Sequence, residues 1–388
     1  MLEHWLLDPD ITYLNHGTVG APPARVLRKQ QALRDEMERQ PSRFVLRELG
    51  CEQPAPWRRE SRLREAIGAI APFLGSRPDD LAFVANVTTG INAVLRSVPF
   101  APGDEVLLTN LGYGAVALAA GVVARERGAT VRTVELPYPL GDSGDVVDAI
   151  VRALTSRTSL VVVDHITAQS ALVLPVAAIT AACHARGVPV LVDGAHAPGS
   201  IALDIPALGA DWYAANLHKW AHAPRSCGII WARPEHQAML RNPVVSWGSG
   251  HGFHAEFDHY ATSDSTSYLA APEGIAMLRE WGFDAVCSYM HDLAIETART
   301  LTDRWGTTIQ TPDEMIGAMV TVPLPEAAGA MAEEATRLRL ALLTDERIEV
   351  QLHAWRGGLY VRVSAQIYND RSDIERLGEA VSRLMKSA

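Results

Sequence analysis

Asp211-Trp-Tyr-Ala-Ala-Asn-Leu-His-Lys-Trp220 decides how this chain is read. A β-like apolar run gives way at Asn216 to a polar turn holding His218 and Lys219. Upstream, Val188-Pro-Val-Leu-Val-Asp-Gly-Ala-His196 is a second apolar run, and it stops on a carboxylate, Asp193. The lysine follows that carboxylate by 219 − 193 = 26 residues. Taken singly, a loop lysine is a solvated cation and an aspartate after a strand is a helix cap. Taken together they suit pyridoxal 5′-phosphate (PLP). That cofactor needs a lysine amine to bond to its aldehyde carbon, and an acid beside its pyridine nitrogen to keep the ring an electron sink.

Composition narrows the alternatives. With 388 residues and 48% hydrophobic content, the chain can fill a large α/β body and a smaller unit. A net charge of −10 gives no electrostatic footprint for nucleic acid or an anionic membrane, so neither is expected as a partner. Cys51, Cys183, Cys227 and Cys287 are scattered without metal-ligand spacing. With no basic, apolar leader at the start, they read as reduced thiols of a cytoplasmic protein. His251, His254 and His259 lack a ligand set around them, so no metal is expected. The longest uncharged run near the middle, 111–124, contains glycines and is too short to span a bilayer.

Outward from the lysine, the pattern is regular. Residues 1–22 read as an arm, with a short strand at 11–14 and a turn-rich loop, Asn15-His-Gly-Thr-Val-Gly-Ala-Pro-Pro23. Helices are predicted over 24–39 and 58–74. Strands at 81–84, 105–108, 130–134, 160–163, 190–192, 212–215 and 228–231 then follow, most of them separated by helices. Such strands, apolar throughout, imply a mainly parallel seven-stranded sheet covered on both faces. In these sheets the site lies beyond the carboxyl ends of the strands. From Asn242 the pattern changes: 246–264 reads as a loop, and 267–281 and 283–304 as helices. Strands at 318–322, 350–353 and 359–363 and a helix at 327–343 come next, and Ser372-Asp-Ile-Glu375 reads as a capping box opening the last helix. We expect an arm (1–22), a large PLP-binding domain (23–255) and a small α+β domain (256–388).

Thr88-Thr89-Gly90 open a helix after a strand, which makes either a phosphate site or an ordinary N-cap. Tyr113 follows the next strand, placed to stack on a ring or to fill the core, and His165, His196 and His218 all fall at strand ends.

Together, Asn15-His-Gly17, Asn86-Val-Thr-Thr89, Val192-Asp-Gly-Ala-His-Ala-Pro-Gly199, His218-Lys-Trp220 and Arg362-Val-Ser-Ala-Gln-Ile-Tyr-Asn369 resemble the class V aminotransferase family of fold type I PLP enzymes. They are most similar to its isopenicillin N epimerase-like branch. The resemblance implies that Lys219 bonds PLP and that Asp193 pairs with the pyridine nitrogen. It puts Tyr113 on one face of the ring and Ala195 beneath the other, with Thr88, Thr89, Asn216 and His218 on the phosphate. His196 matches a position that reaches the ring oxygen or the phosphate side. Arg362 matches the arginine that grips the substrate carboxylate, and Asn15 and His16 are the next candidates for that carboxylate. Thr262 matches a threonine lent by a neighbouring subunit, which implies a homodimer with a shared site.

Four departures matter. Relatives often carry Ser at Asn216 and Gly at Leu217. The cysteine desulfurase branch needs a cysteine on the loop before the Arg362 strand, and 340–361 has none. Ala168 stands where many relatives place a polar residue against the ring oxygen. Ser263-Asp264 stands where epimerases tend to have Arg-Asp. The branch includes epimerases, C–S lyases and decarboxylating deaminases acting on S-conjugated cysteines in antibiotic pathways. The expected function is therefore chemistry at Cα of an S-conjugated cysteine, by C–S β-elimination or decarboxylation-coupled oxidative deamination. The alternatives are amino-acid epimerisation, transamination, and a non-catalytic PLP-fold regulator or scaffold. Intact Lys219, Asp193 and Arg362 argue against the last.

Overall fold

Runs such as Leu160-Val-Val-Val163 have no polar face, so they must be covered on both sides, and the fold covers them. The computed structural model describes residues 1–49, 61–259, 261–309 and 311–386. Cys51 and the predicted helix start at 58–60 lie outside these residues. The arm carries β1 (Thr12–Tyr13). The large sheet comprises β2 (Leu81–Val84), β3 (Glu105–Thr109), β4 (Thr130–Val134), β5 (Thr158–Asp164), β6 (Val190–Asp193), β7 (Trp212–Asn216) and β8 (Gly228–Ala232). Their order is β2-β8-β7-β6-β5-β3-β4, and β8 alone runs against its neighbours. The expected seven-stranded, mainly parallel sheet is present. β5 and β6 are in register at their ends, with Asp164 opposite Asp193, so two carboxylates emerge side by side.

A second, smaller unit holds a three-stranded antiparallel sheet of β9 (Met319–Pro323), β11 (Gln351–Trp355) and β12 (Gly358–Ser364), with the short β10 (Ile348–Glu349) beside it. Leu293, Leu301, Val320, Val361 and Leu377 form its core, which Leu14 of the arm joins. β1 pairs with β10, and Trp5 packs on His222, Trp281 and Tyr368, so the arm is bound to both units.

Two local expectations change. Within the predicted loop 246–264, Phe253–Asp258 is a helix, because Phe253 and Phe257 at i and i+4 bury themselves beside Val84 and Ile230. Glu256 fixes that helix by accepting N–H bonds from Asn242 (3.1 Å) and Gly250 (2.8 Å). The last helix, Arg371–Lys386, is opened by Asp370 and Asp373 instead of Ser372 and Glu375. Asp370 accepts from Ser372 N–H, and Asp373 accepts from Asp370 N–H. The helix Thr266–Glu280 packs against Ala24–Arg39 and Arg62–Ile70, adding Tyr268, Leu269 and Ile275 to the core under the large sheet. Among the described residues no helix is long and apolar enough to cross a membrane.

Candidate active site

Beyond the carboxyl ends of β5, β6 and β7 lies a cavity of about 190 Å³, lined by Asp164, Asp193, Ala195, His196, Asn216, His218, Lys219, Thr88 and Tyr113. The Lys219 backbone is wedged from two sides. Gly20 (φ 68°) and Gly199 (φ 93°) press against His218–Ala221 so closely that an added Cβ would sit 2.0 Å from the His218 carbonyl oxygen and 2.3 Å from the Trp220 carbonyl carbon. His16 Nε2 lies 3.0 Å from the Lys219 carbonyl oxygen.

The lysine amine is tuned by its neighbours. Burial first, and then the Arg362 charge, pushes it down to about 8 against the pull of Asp193 and Asp164. Its Nζ is 3.1 Å from His196 Nε2. Trp220 Nε1–H can only donate, and it meets His196 Nδ1 at 3.4 Å. Burial holds the imidazole far below its ordinary range, so the ring is neutral. With Nδ1 accepting, the ring proton belongs on Nε2, facing an amine able to accept it only when neutral. Trp220 thus favours the lysine in its nucleophilic, basic form.

The carboxylates ask for a cation. Asp193 is 2% exposed; Oδ1 accepts from Ala195 N–H (2.9 Å), whereas Oδ2 is buried with no partner among the described residues. Burial raises it to about 6. Burial and then the Asp193 charge push Asp164 well up as well. A protonated pyridine nitrogen would satisfy the orphaned Oδ2, so the donor set fits PLP.

At the start of the helix Val87–Ser97, Asn216 Oδ1 accepts from Val87 N–H (2.9 Å) and Asn86 Oδ1 from Thr89 N–H (3.0 Å). Among the described residues the Thr88 N–H and hydroxyl take no protein partner, which leaves them for a phosphate. Thr89 does not line the cavity: its hydroxyl turns onto Asn86 at 3.2 Å, and Asn86 takes its place in the wall. His218 Nδ1 lies 2.9 Å from the Cys227 carbonyl, to which it donates. Burial holds His218 near 4, so Nε2 needs a second proton before it can donate to a phosphate.

A contiguous space of about 480 Å³ contains Arg362, Gln351, Gln169 and Thr18 beside Lys219 and Tyr113. Arg362, in β12, is 5% exposed. It donates to Ala168 O (2.5 Å), Thr18 Oγ1 (2.6 Å) and Asn15 Oδ1 (3.4 Å), and its Nε has no partner among the described residues. Burial lowers it to about 10. A buried guanidinium with neutral partners and an idle N–H favours an arriving anion.

Not every predicted residue converges. His16 is fully buried with both ring nitrogens engaged, by Tyr368 OH (2.9 Å) and the Lys219 carbonyl, so it props the lysine loop. Asn15 is spent on Thr18, Arg362 and Glu349. His165 bonds Tyr213 OH (2.8 Å) behind the sheet end and does not line the cavity. Thr262 is exposed and lies by Trp247 in a separate depression, away from its own chain's Lys219 cavity. Ala168 faces the site, but through its carbonyl it serves Arg362. Sequence reasoning missed Asp164, Thr18, Asn86 and Gln351. Asp164 had a legible signal, since it ends an apolar strand just as Asp193 does. Among the described residues no thiol lines either space; burial pushes Cys183 to about 11 and Cys287 to about 12.

Comparison with known proteins agrees with this geometry. The family described as aminotransferase class-V matches residues 55–377. Isopenicillin N epimerase of Amycolatopsis lactamdurans is 34% identical, covering 99% of this chain and 98% of that protein. A probable chloroplastic L-cysteine desulfhydrase of Arabidopsis thaliana is 30% identical, covering 98% of this chain and 84% of that protein. The structure of a cystine C–S lyase with its product cysteine persulfide superimposes with a TM-score of 0.79 at 22% identity, over 97% of this chain and 98% of that one.

Proposed function

Because the chain belongs to the class V aminotransferase family of PLP-dependent enzymes, we propose that it cleaves the C–S bond of an S-substituted cysteine by β-elimination. The balance is substrate plus water giving thiol, pyruvate and ammonia. The observation that carries this reading is a basic lysine beside a buried arginine in a space that no described thiol lines. Without a nucleophilic cysteine to abstract sulfur, the sulfur leaves with its own electron pair.

PLP, when bound, supplies the sink for the electron pair left at Cα. The Lys219 amine, poised near 8, takes the Cα proton, and the His196 Nε2–H at 3.1 Å keeps it neutral and ready to do so. Asp193 Oδ2 keeps the proton on the ring nitrogen, and Arg362 holds the α-carboxylate. Thr88 and Asn216 would take the phosphate, joined by His218 once its Nε2 is protonated, Tyr113 and Ala195 would bracket the ring, and Thr262 would reach the phosphate from a second subunit. Sedimentation as a monomer at working concentration would remove that last element.

The reaction is tested by incubating holoenzyme with S-methyl-, S-benzyl- and unsubstituted cysteine and measuring thiol, pyruvate and ammonia. Retained sulfur with an inverted Cα would instead establish epimerisation, the reading favoured by the relationship to isopenicillin N epimerase.

Arg362→Ala should raise KM for amino acids while leaving the cofactor spectrum unchanged. Loss of a charge-assisted, bidentate contact costs on the order of 2–4 kcal/mol, roughly 30- to 700-fold. Arg362→Lys should recover part of it, because a point charge cannot reproduce the fork. Wild-type kcat/KM in the alanine variant would move the carboxylate elsewhere.

A further inference from the structure

Thr18 lines a third space besides the two described, and Gln351 is shared between that space and the Arg362 cavity. This groove, of about 770 Å³, runs between the arm and the helix Ala332–Thr344. Leu7, Ile11 and Val19 form one wall, Leu340 and Leu343 the other. Leu340 is 59% exposed and Val19 46%, an apolar surface held open to solvent at the edge of a reaction site. The charged groups around it are already engaged: Asp8 with Arg347 (3.3 Å), Glu349 with Asn15 (2.9 Å) and Arg339 with Gln351 (3.5 Å). A ligand in this groove therefore meets hydrocarbon along both walls, with Glu349 and Arg339 held by neutral amides at its edge.

Size points the same way. Spaces of roughly 300–1,000 Å³ enclose drug-sized ligands, whereas cysteine itself is satisfied by the Arg362 cavity alone. We propose that the groove is the subsite for the substituent carried on the substrate's sulfur, and that this substituent is an extended, uncharged, apolar group. The inference rests on the functional reading above, which puts the α-carboxylate on Arg362. From there the side chain runs past Thr18 and Gln351 into the groove.

The experiment separates the subsite from the reaction. Holoenzyme is titrated with straight-chain α-amino acids from alanine to 2-aminodecanoate, followed by the cofactor's absorbance. These have no leaving group on Cβ, so binding is read whether or not C–S bonds are cleaved. Kd should fall about two- to fourfold per added methylene until the groove is filled. Leu340→Asp, at an exposed position that tolerates a charge, should flatten that dependence and leave Kd for alanine unchanged. A Kd independent of chain length, or an equal slope in the variant, overturns the subsite. A slope that persists while Leu340→Asp changes the sedimentation makes the groove a contact between copies, and the proposal falls. A normal slope with no thiol released from any S-alkylcysteine supports the subsite and overturns the elimination reading.

Discussion

Lys219→Ala is expected to lower kcat on an S-substituted cysteine by at least about 10³-fold and to abolish covalent attachment of the cofactor. On the proposed reading two functions vanish with one amine: the bond to the cofactor aldehyde and the base at Cα. His196 is the group that could substitute, but burial holds its ring neutral, and Trp220 occupies Nδ1, so it offers a proton instead of taking one. The fold should survive, because the loop is held by Gly20, Gly199 and His16 against backbone, none of it through the lysine side chain. The check is borohydride reduction followed by intact mass: wild type gains the cofactor's mass and the variant gains none. Turnover at the wild-type rate would end the assignment of Lys219.

Asp193→Asn should keep the cofactor and lose about 10²- to 10³-fold in kcat, read directly as slowed exchange of the Cα proton for deuterium. An amide cannot hold a proton on the ring nitrogen as a carboxylate does. The same substitution carries an opposite sign for stability. Asp193 has its folded pKa raised from 3.8 to about 6 by burial. Such a group stabilises the apoenzyme fully below its unfolded pKa, and that contribution is lost as pH rises through the folded value. Above pH 6 the wild-type apoenzyme therefore carries a desolvated charge beside Asp164 that the asparagine variant lacks. The variant apoenzyme should melt higher at pH 8, with the difference closing near pH 4. A lower melting temperature at pH 8 would mean that Oδ2 has a partner in the apoenzyme after all.

The sheet was legible because its central strands are apolar along most of their length, and β5, β6 and β7 break on polar residues, Asp164, Asp193 and Asn216. The cofactor side of the site was legible for the same reason, since strand ends place their next side chain at the sheet's edge. What escaped were residues whose role depends on contacts far away in sequence. Thr18 looks like loop filler until Arg362, 344 residues later, donates to its hydroxyl. Thr89 and Asn86 could not be ranked, because which of the two faces the cavity is decided by the Asn86 side chain turning onto the Thr89 N–H. The Phe253–Asp258 helix was hidden by the glycines and histidines around it, and its two buried phenylalanines were the available signal.

The docked arm also sets an order of assembly. Gly17 N–H bonds Ser364 Oγ across 347 residues, and Asn15 bridges to the same serine. At ordinary rates of synthesis, the arm waits roughly 20–70 s between its own emergence from the ribosome and that of β12. For the last part of that interval, roughly 7–29 s, the Lys219 loop exists without β12 to seat the arm, and Gly20 has no settled position from which to wedge it. A nascent chain can thus form most of its large sheet before the arm is seated and the lysine loop is wedged in place.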